Sequence, residues 1–298
     1  MRIAIAGSSG FLGSHLADRL TNGGHKVTRL VRREPRTAGE IRWDPAGGEL
    51  NPAALSGMGA VVNLAGASAA GHRWTERYKA KFRASRVDAT STLAHAIAAL
   101  PPAARPSLLM NASAVGWYGD TGDQPVTEEA PAGEGFLPDL CRAWEAATRP
   151  AEEAGVRVVR LRTGLPLHAS GGMLKPLLLP FRLFVGGKLS TGRQYMPWIS
   201  LADWLGAVEF LMSREDIAGP VNLAGPVPVT NAELTSTLAR LLHRPALFTV
   251  PRLALRIVLG DFGDEAVRSQ RVLPGVLERQ GFSFAHRDID AALRAALR

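Results

Sequence analysis

Cysteine is almost missing from this chain of 298 residues: its single copy, Cys141, excludes an intramolecular disulfide and offers no Cys-x-x-Cys or Cys/His cluster for zinc. Long hydrophobic runs are missing too. The longest, MLKPLLLPFRLFVGG, is cut by Lys175, Pro176, Pro180 and Arg182, well short of the roughly 18 apolar residues that a membrane span needs. The opening MRIAIAGSSG runs straight into an apolar strand with no charged n-region, apolar h-region or cleavage site, so no export signal is expected. These absences point to a cytoplasmic protein with no membrane partner. Basic runs are absent as well: the formal charge is +8, but the arginines are scattered and no five basic residues are consecutive, so nucleic acid is not an expected partner. Only five of the 35 cationic residues are lysine, which reads as compositional bias and leaves a basic cleft for an anionic ligand open.

What is present is a long alternation of strand-like and helix-like segments. RIAIA (2–6) reads as a buried strand, FLGSHLADRLTNGG as a helix stopped by glycine, and KVTRLV as a second strand. IRW (41–43), AVVNLAG (60–66), a helical region over 76–100, SLLMNAS (107–113), a helix over 140–154 and VRVVRLRTG (156–164) continue the pattern. Such alternation implies an α/β fold, a doubly wound parallel Rossmann sheet. After Gly164 a glycine- and proline-rich passage is expected to form a loop-rich cover, and SLAD, a Ser-x-x-Asp helix start, returns the chain to the sheet through a helix and the strand PVNLAG. TNAELTSTLARLL opens with a second capping box. The expected organisation is a nucleotide-binding domain over 1–165 plus about 198–225, with 166–197 and 226–298 forming a small α-rich substrate domain.

The strongest chemical signal is GSSGFLG, between the first strand and the first helix. Gly7 permits the tight turn, Gly10 lets backbone approach a pyrophosphate, and Gly13 allows close packing of helix on sheet; Ser9, Phe11 and Leu12 complete the loop. The helix start then offers free N–H groups and its positive dipole end to phosphates. At the end of the second strand, where an NAD binder places an acid on the ribose 2′-hydroxyl, this chain has Arg32 followed by Arg33. A guanidinium there suits a 2′-phosphate, which favours NADP(H).

GSSGFLG, VNLAG, SAVGWYGD and PWISLAD, in that order, resemble the extended branch of the short-chain dehydrogenase/reductase superfamily. More narrowly, RWDP, NLAGAS, LCRAWE, GGKLSTGRQYMPWI and RVLPGVLERQGFSF resemble an epimerase-like family with a distinctive C-terminal domain, over nearly the whole chain. The resemblance implies that Asn63, Leu64, Ala65 and Gly66 line the adenosine and ribose side of the cofactor. It implies Arg32 on the 2′-phosphate, Arg86 as a further contact and Pro166 on the nicotinamide half. It also implies Ser113 as the serine that orients a substrate oxygen, and Lys188, Arg193 and Gln194 as a loop that holds an anionic substrate. Extended relatives often pair through two helices, so it allows a homodimer through 76–100 and 140–154.

One element of the family pattern is absent. Its tyrosine and lysine, four residues apart, transfer the proton while hydride moves; here those positions are Leu137 and Cys141, in LPDLC. The three tyrosines, Tyr78, Tyr118 and Tyr195, are followed four residues later by Phe82, Gly122 and Ile199, so the motif occurs nowhere in the chain. Tyr118, five residues after Ser113, is the substitute acid-base candidate, with Cys141, Glu145 and His168 behind it. Two readings stay open: an NADP(H)-dependent oxidoreductase or epimerase-like enzyme on a carbonyl or nucleotide-sugar-like substrate, and a catalytically weak NADP(H)-binding sensor or interaction protein.

Overall fold

The computed structural model describes residues 1–69 and 72–298. Its strands are β1 Arg2–Ala6, β2 Lys26–Val31, β3 Glu40–Arg42, β4 Ala60–Asn63, β5 Leu108–Ala114, β6 Arg157–Thr163, β7 Leu165–His168, β8 Gly171–Gly172, β9 Gly187–Leu189, β10 Tyr195–Met196, β11 Trp198–Ser200, β12 Gly219–Leu223, β13 Val229–Thr230 and β14 Phe248–Val250. Its α-helices are α1 Phe11–Asn22, α2 Glu76–Ala98, α3 Phe136–Ala146, α4 Arg149–Glu153, α5 Leu174–Arg182, α6 Leu201–Ser213, α7 Asn231–Leu242, α8 Arg252–Leu259, α9 Phe262–Glu265, α10 Gly275–Arg279 and α11 Ile289–Ala296.

Seven strands form one parallel sheet in the order β12-β6-β5-β4-β1-β2-β3. Its strands are apolar on both sides because both faces are covered. Ile3 and Ile5 point into a core with Leu16 and Leu20 of α1 and Trp204 and Leu211 of α6. Ala4 and Ala6 point the other way, toward Leu93 and Ile97 of α2. The chain order reverses between β1 and β4, and the carboxyl ends of those strands form the crevice in which open α/β sheets bind ligands.

Both capping signals form. Ser200 Oγ accepts the Asp203 N–H at the start of α6, and Thr230 and Glu233 close a reciprocal box on α7. Asp203 does more, taking the backbone N–H groups of Ala285 and His286 and tying the chain's tail to α6.

Two expectations need correction. The passage after Gly164 is ordered structure: β7 pairs with β11 and β8, and α5 buries Leu174, Leu178 and Phe181, one face spaced at i, i+4 and i+7, despite Pro176 and Pro180. The helix expected over 140–154 starts earlier and divides into α3 and α4, with Thr148 and Pro150 at the break. The C-terminal region is α-rich as expected, with β13 and β14 as short additions, and one of its cores joins α5, α7 and α11.

Candidate functional site

The turn after β1 is built on glycine for reasons of space. Gly7 has φ of +78°, and a Cβ there would stand 2.5 Å from the Leu64 carbonyl oxygen; a Cβ at Gly13 would stand 2.1 Å from the Gly7 carbonyl oxygen. Gly10 is different, because its missing Cβ would meet only Gly7 O, at 3.3 Å. Gly10 is also the N-cap of α1 with no side-chain cap, so the helix's first N–H groups face outward.

Beside this turn lies a cleft of about 940 Å³, lined by Gly7, Ser9 and Gly10, by the end of β2 with Arg32 and Arg33, and by Leu64, Ala65 and Gly66. Eight of the expected cofactor residues, Arg33 among them, therefore line one cleft. Arg33 is occupied: its Nη1 donates to Glu40 Oε2 at 2.8 Å, and that bond is the main cause that pulls the Glu40 carboxyl down to about 2. Arg32 is exposed on the cleft and forms no ion pair among the described residues. The two arginines thus separate into one that shapes the rim and one available to an anion.

Other expected contacts stand behind the cleft. Asn63 is fully buried; its amide donates to Thr90 Oγ1 and Asn111 Oδ1, and its carbonyl accepts the Ala65 N–H, turning the chain out of β4. Arg86 supports the wall from the rear: its Nη2 donates to the Ala67 carbonyl, and its guanidinium lies 3.5 Å over the Phe82 ring. Burial pushes Arg86 down to about 10. Ser85 and Tyr78 of the same helix bond the Ala67 N–H and the Ser68 carbonyl, so α2 fixes residues 67–68 at three points. Phe11 packs against Gly171 of β8, Leu12 packs on the sheet core, and Pro166 lies in register with Ile199 inside a small sheet.

Ser113, at the carboxyl end of β5, sits over a buried charge pair. Its hydroxyl donates to Glu145 Oε1 at 2.6 Å, and Arg162 grips the same carboxylate with Nε at 2.8 Å and Nη2 at 3.0 Å. Arg162 Nη1 also donates to the Tyr118 hydroxyl at 3.1 Å, which donates in turn to Asn222 Oδ1 at 2.7 Å. Glu128 accepts the Asn222 N–H and closes the chain of bonds. With the Ser113 hydroxyl donating to Glu145, its oxygen keeps acceptor capacity for a hydrogen bond from a substrate hydroxyl. Tyr118 is 5% exposed, and burial pushes its phenol up to about 12, so it serves this network as a neutral hydrogen-bonding group.

The LPDLC segment lies on α3 beneath an aromatic cluster. Leu137 and Phe136 pack with Trp74 and Phe262. Cys141 is 1% exposed, and burial pushes its thiol up to about 12. It is therefore expected to be inert: in a thiol-reagent assay at pH 8 the native protein should react at least roughly a hundredfold more slowly than the unfolded chain. Equal rates would show that this end of α3 is open. His168 accepts from Ser170 at Nδ1, and burial followed by the nearby His15 charge holds it below the usual imidazole range. Of the expected substrate group, Arg193 is exposed and Lys188 half-buried. Gln194 is 6% exposed and donates to the Leu189 carbonyl, which holds the loop's own shape.

Residues 3–139 match the NAD dependent epimerase/dehydratase family, and residues 250–296 match a domain of unknown function. An epimerase family protein of Mycobacterium bovis is 46% identical over 292 residues, covering 98% of this chain and 96% of that protein. This chain belongs to the epimerase family. Two solved structures place this epimerase-family chain further. Human epimerase family protein SDR39U1, crystallised with NADPH, is 30% identical with a TM-score of 0.90 and 99% of each chain covered. A nucleoside-diphosphate sugar epimerase from Corynebacterium glutamicum is 37% identical with a TM-score of 0.82; it matches all of this chain and 58% of its own. The expected fold, a doubly wound parallel Rossmann sheet with an α-rich C-terminal region, is the fold observed.

Proposed function

We propose that this protein binds NADP(H) and uses it in epimerase-like or oxidoreductase chemistry on a carbonyl or nucleotide-sugar-like substrate, from a cytoplasmic location. The observation that carries the reading is the cleft in which an ion-pair-free Arg32 stands beside the Gly7–Gly10 turn. The residues fit the cofactor: the open side of Gly10 leaves room for a pyrophosphate, α1 supplies N–H groups, and Arg32 suits a 2′-phosphate. The human relative's NADPH supports the same choice. When bound, the cofactor would supply hydride transfer. The chain's own contribution is to orient a substrate hydroxyl, the form that is oxidised to or formed from the carbonyl, at Ser113 and to hold Ser113 through Glu145 and Arg162.

The test is titration with NADPH and NADH. NADPH is expected to bind more tightly, and Arg32→Glu to weaken it at least roughly thirtyfold, about 2 kcal/mol of charge-assisted bonding, while leaving NADH little changed. Equal affinity for the two cofactors, or no loss in the variant, would remove the argument.

A second reading is favoured by one specific feature: Leu137 and Cys141 replace the proton-transfer pair, and Tyr118 is locked in the interior. It makes the protein an NADP(H)-binding sensor of weak catalytic power. A screen of carbonyl and sugar-nucleotide substrates decides between them, since turnover abolished by Ser113→Ala belongs to the enzyme alone.

A further inference from the structure

Eleven large apolar side chains are exposed among the described residues, and nine of them fall in two segments, 179–185 and 247–258. The segments meet: β9 and β14 pair in parallel with Gly187 beside Phe248, and the Arg244 guanidinium lies 4.5 Å over the Phe184 ring. Directly after β14 comes α8, RLALRIVL, a helix with no buried residue. Leu253 and Ile257, on successive turns, are 69% and 64% exposed, and Arg252 and Arg256 form the adjoining stripe. A helix of this pattern ordinarily buries its apolar stripe; here the stripe faces outward.

The charge around this face is mostly positive. From 154 to 202 and from 234 to 260 the chain contains no aspartate or glutamate, while Lys175, Arg182, Arg244, Arg252 and Arg256 all lie in those stretches. Two acids meet α8: Asp264, bridging Arg252 and Arg256, and Asp261, which lies beside Arg256 and Ile257, while Lys175, Arg182 and Arg244 form no ion pair among the described residues. Exposed apolar patches beyond a few hundred Å² mark interaction surfaces. A second copy of the chain would bring two basic rims together at a net charge of +8 per copy, which opposes association. A negatively charged lipid surface satisfies both features, with apolar side chains at the acyl boundary and arginines among the headgroups.

We propose that the face formed by α8, β14 and the end of α5 lies on an anionic phospholipid membrane. No helix among the described residues is long and apolar enough to cross a bilayer, so the contact is a docking one. The expectation of no membrane partner came from the lack of a spanning segment, which says nothing of a helix lying in the interface plane. The proposal is independent of the cofactor reading.

The experiment is sedimentation of the full chain with vesicles of phosphatidylcholine, alone or with one quarter phosphatidylglycerol. The mixed vesicles are expected to bind at least about tenfold more strongly, with release on raising salt, because the arginine contribution is screened. Leu253→Ser with Ile257→Ser, and separately Phe184→Ser with Leu247→Ser, should each reduce binding about tenfold while thermal melting and NADPH affinity stay at the parent values. Failure to bind the mixed vesicles, equal binding to both compositions, or unchanged binding in both double variants would overturn the proposal. So would light scattering that shows a dimer which the same variants dissolve.

Discussion

Arg162→Met is expected to cost about 3–5 kcal/mol of folding stability, because it leaves the Glu145 carboxylate buried without its cation. Arg162 and Glu145 are only 3% and 8% exposed, and the guanidinium also holds the Tyr118 hydroxyl and the Glu128 carbonyl. The loss is therefore spread over β5, β6, α3 and β12 at once. Glu145→Gln combined with Arg162→Met should cost clearly less than the sum of the two single changes, because the uncompensated charge is then gone while an amide oxygen remains for Ser113. Denaturant unfolding of the four proteins measures this directly. If the double change costs the sum, the two residues act separately and the pair is not the organising element of the site. NADPH affinity separates structure from function here: a folded double variant that still binds NADPH while turnover disappears would mark the pair as positioning Ser113.

The cleft beside the glycine turn was legible in the sequence because its parts are local. The turn, the helix start and Arg32 fall within one βαβ unit, and their closeness in space follows from their distance along the chain. Strand positions were legible for a related reason, since β1, β4 and β5 are short apolar runs bounded by polar or glycine residues. The centre under Ser113 was not legible. Ser113 and Arg162 are 49 positions apart and become neighbours only because β5 and β6 pair in the register that sets one beside the other. A signal was available: an arginine at an inward position of a strand buried on both faces requires a carboxylate partner, and Glu145 was the acid two turns into the next-packed helix. Asn63 misled for the opposite reason. It stands in the right stretch of chain, but its buried amide is consumed by Thr90 and Asn111, which no local spacing reveals. In α8 the apolar stripe was unread because a helix of eight residues with no buried side chain gives no core contribution by which to place it.

The three glycines of the turn should separate stability from binding. Gly13→Ala places a methyl 2.1 Å from the Gly7 carbonyl oxygen, a backbone atom that cannot swing aside, so α1 must move off the sheet. Overpacking of this kind costs about 1–3 kcal/mol, and because it displaces the helix start it should also abolish measurable NADPH binding. Gly7→Ala should behave similarly, since its φ of +78° and the 2.5 Å approach to Leu64 O act together. Gly10→Ala is the informative case. Its backbone, at φ −75° and ψ 171°, is ordinary extended geometry, and its Cβ meets a single atom, Gly7 O, at 3.3 Å, so with the lost glycine N-cap the free protein should be about 1 kcal/mol less stable than the parent, a smaller loss than in the Gly13 variant. The new methyl nevertheless projects beside the open helix start, where backbone must come close to a phosphate. NADPH affinity should therefore fall at least roughly tenfold at temperatures where the variant is fully folded. If Gly10→Ala binds NADPH as the parent does, the pyrophosphate is not held at this turn, and the cofactor must lie along the cleft in some other way.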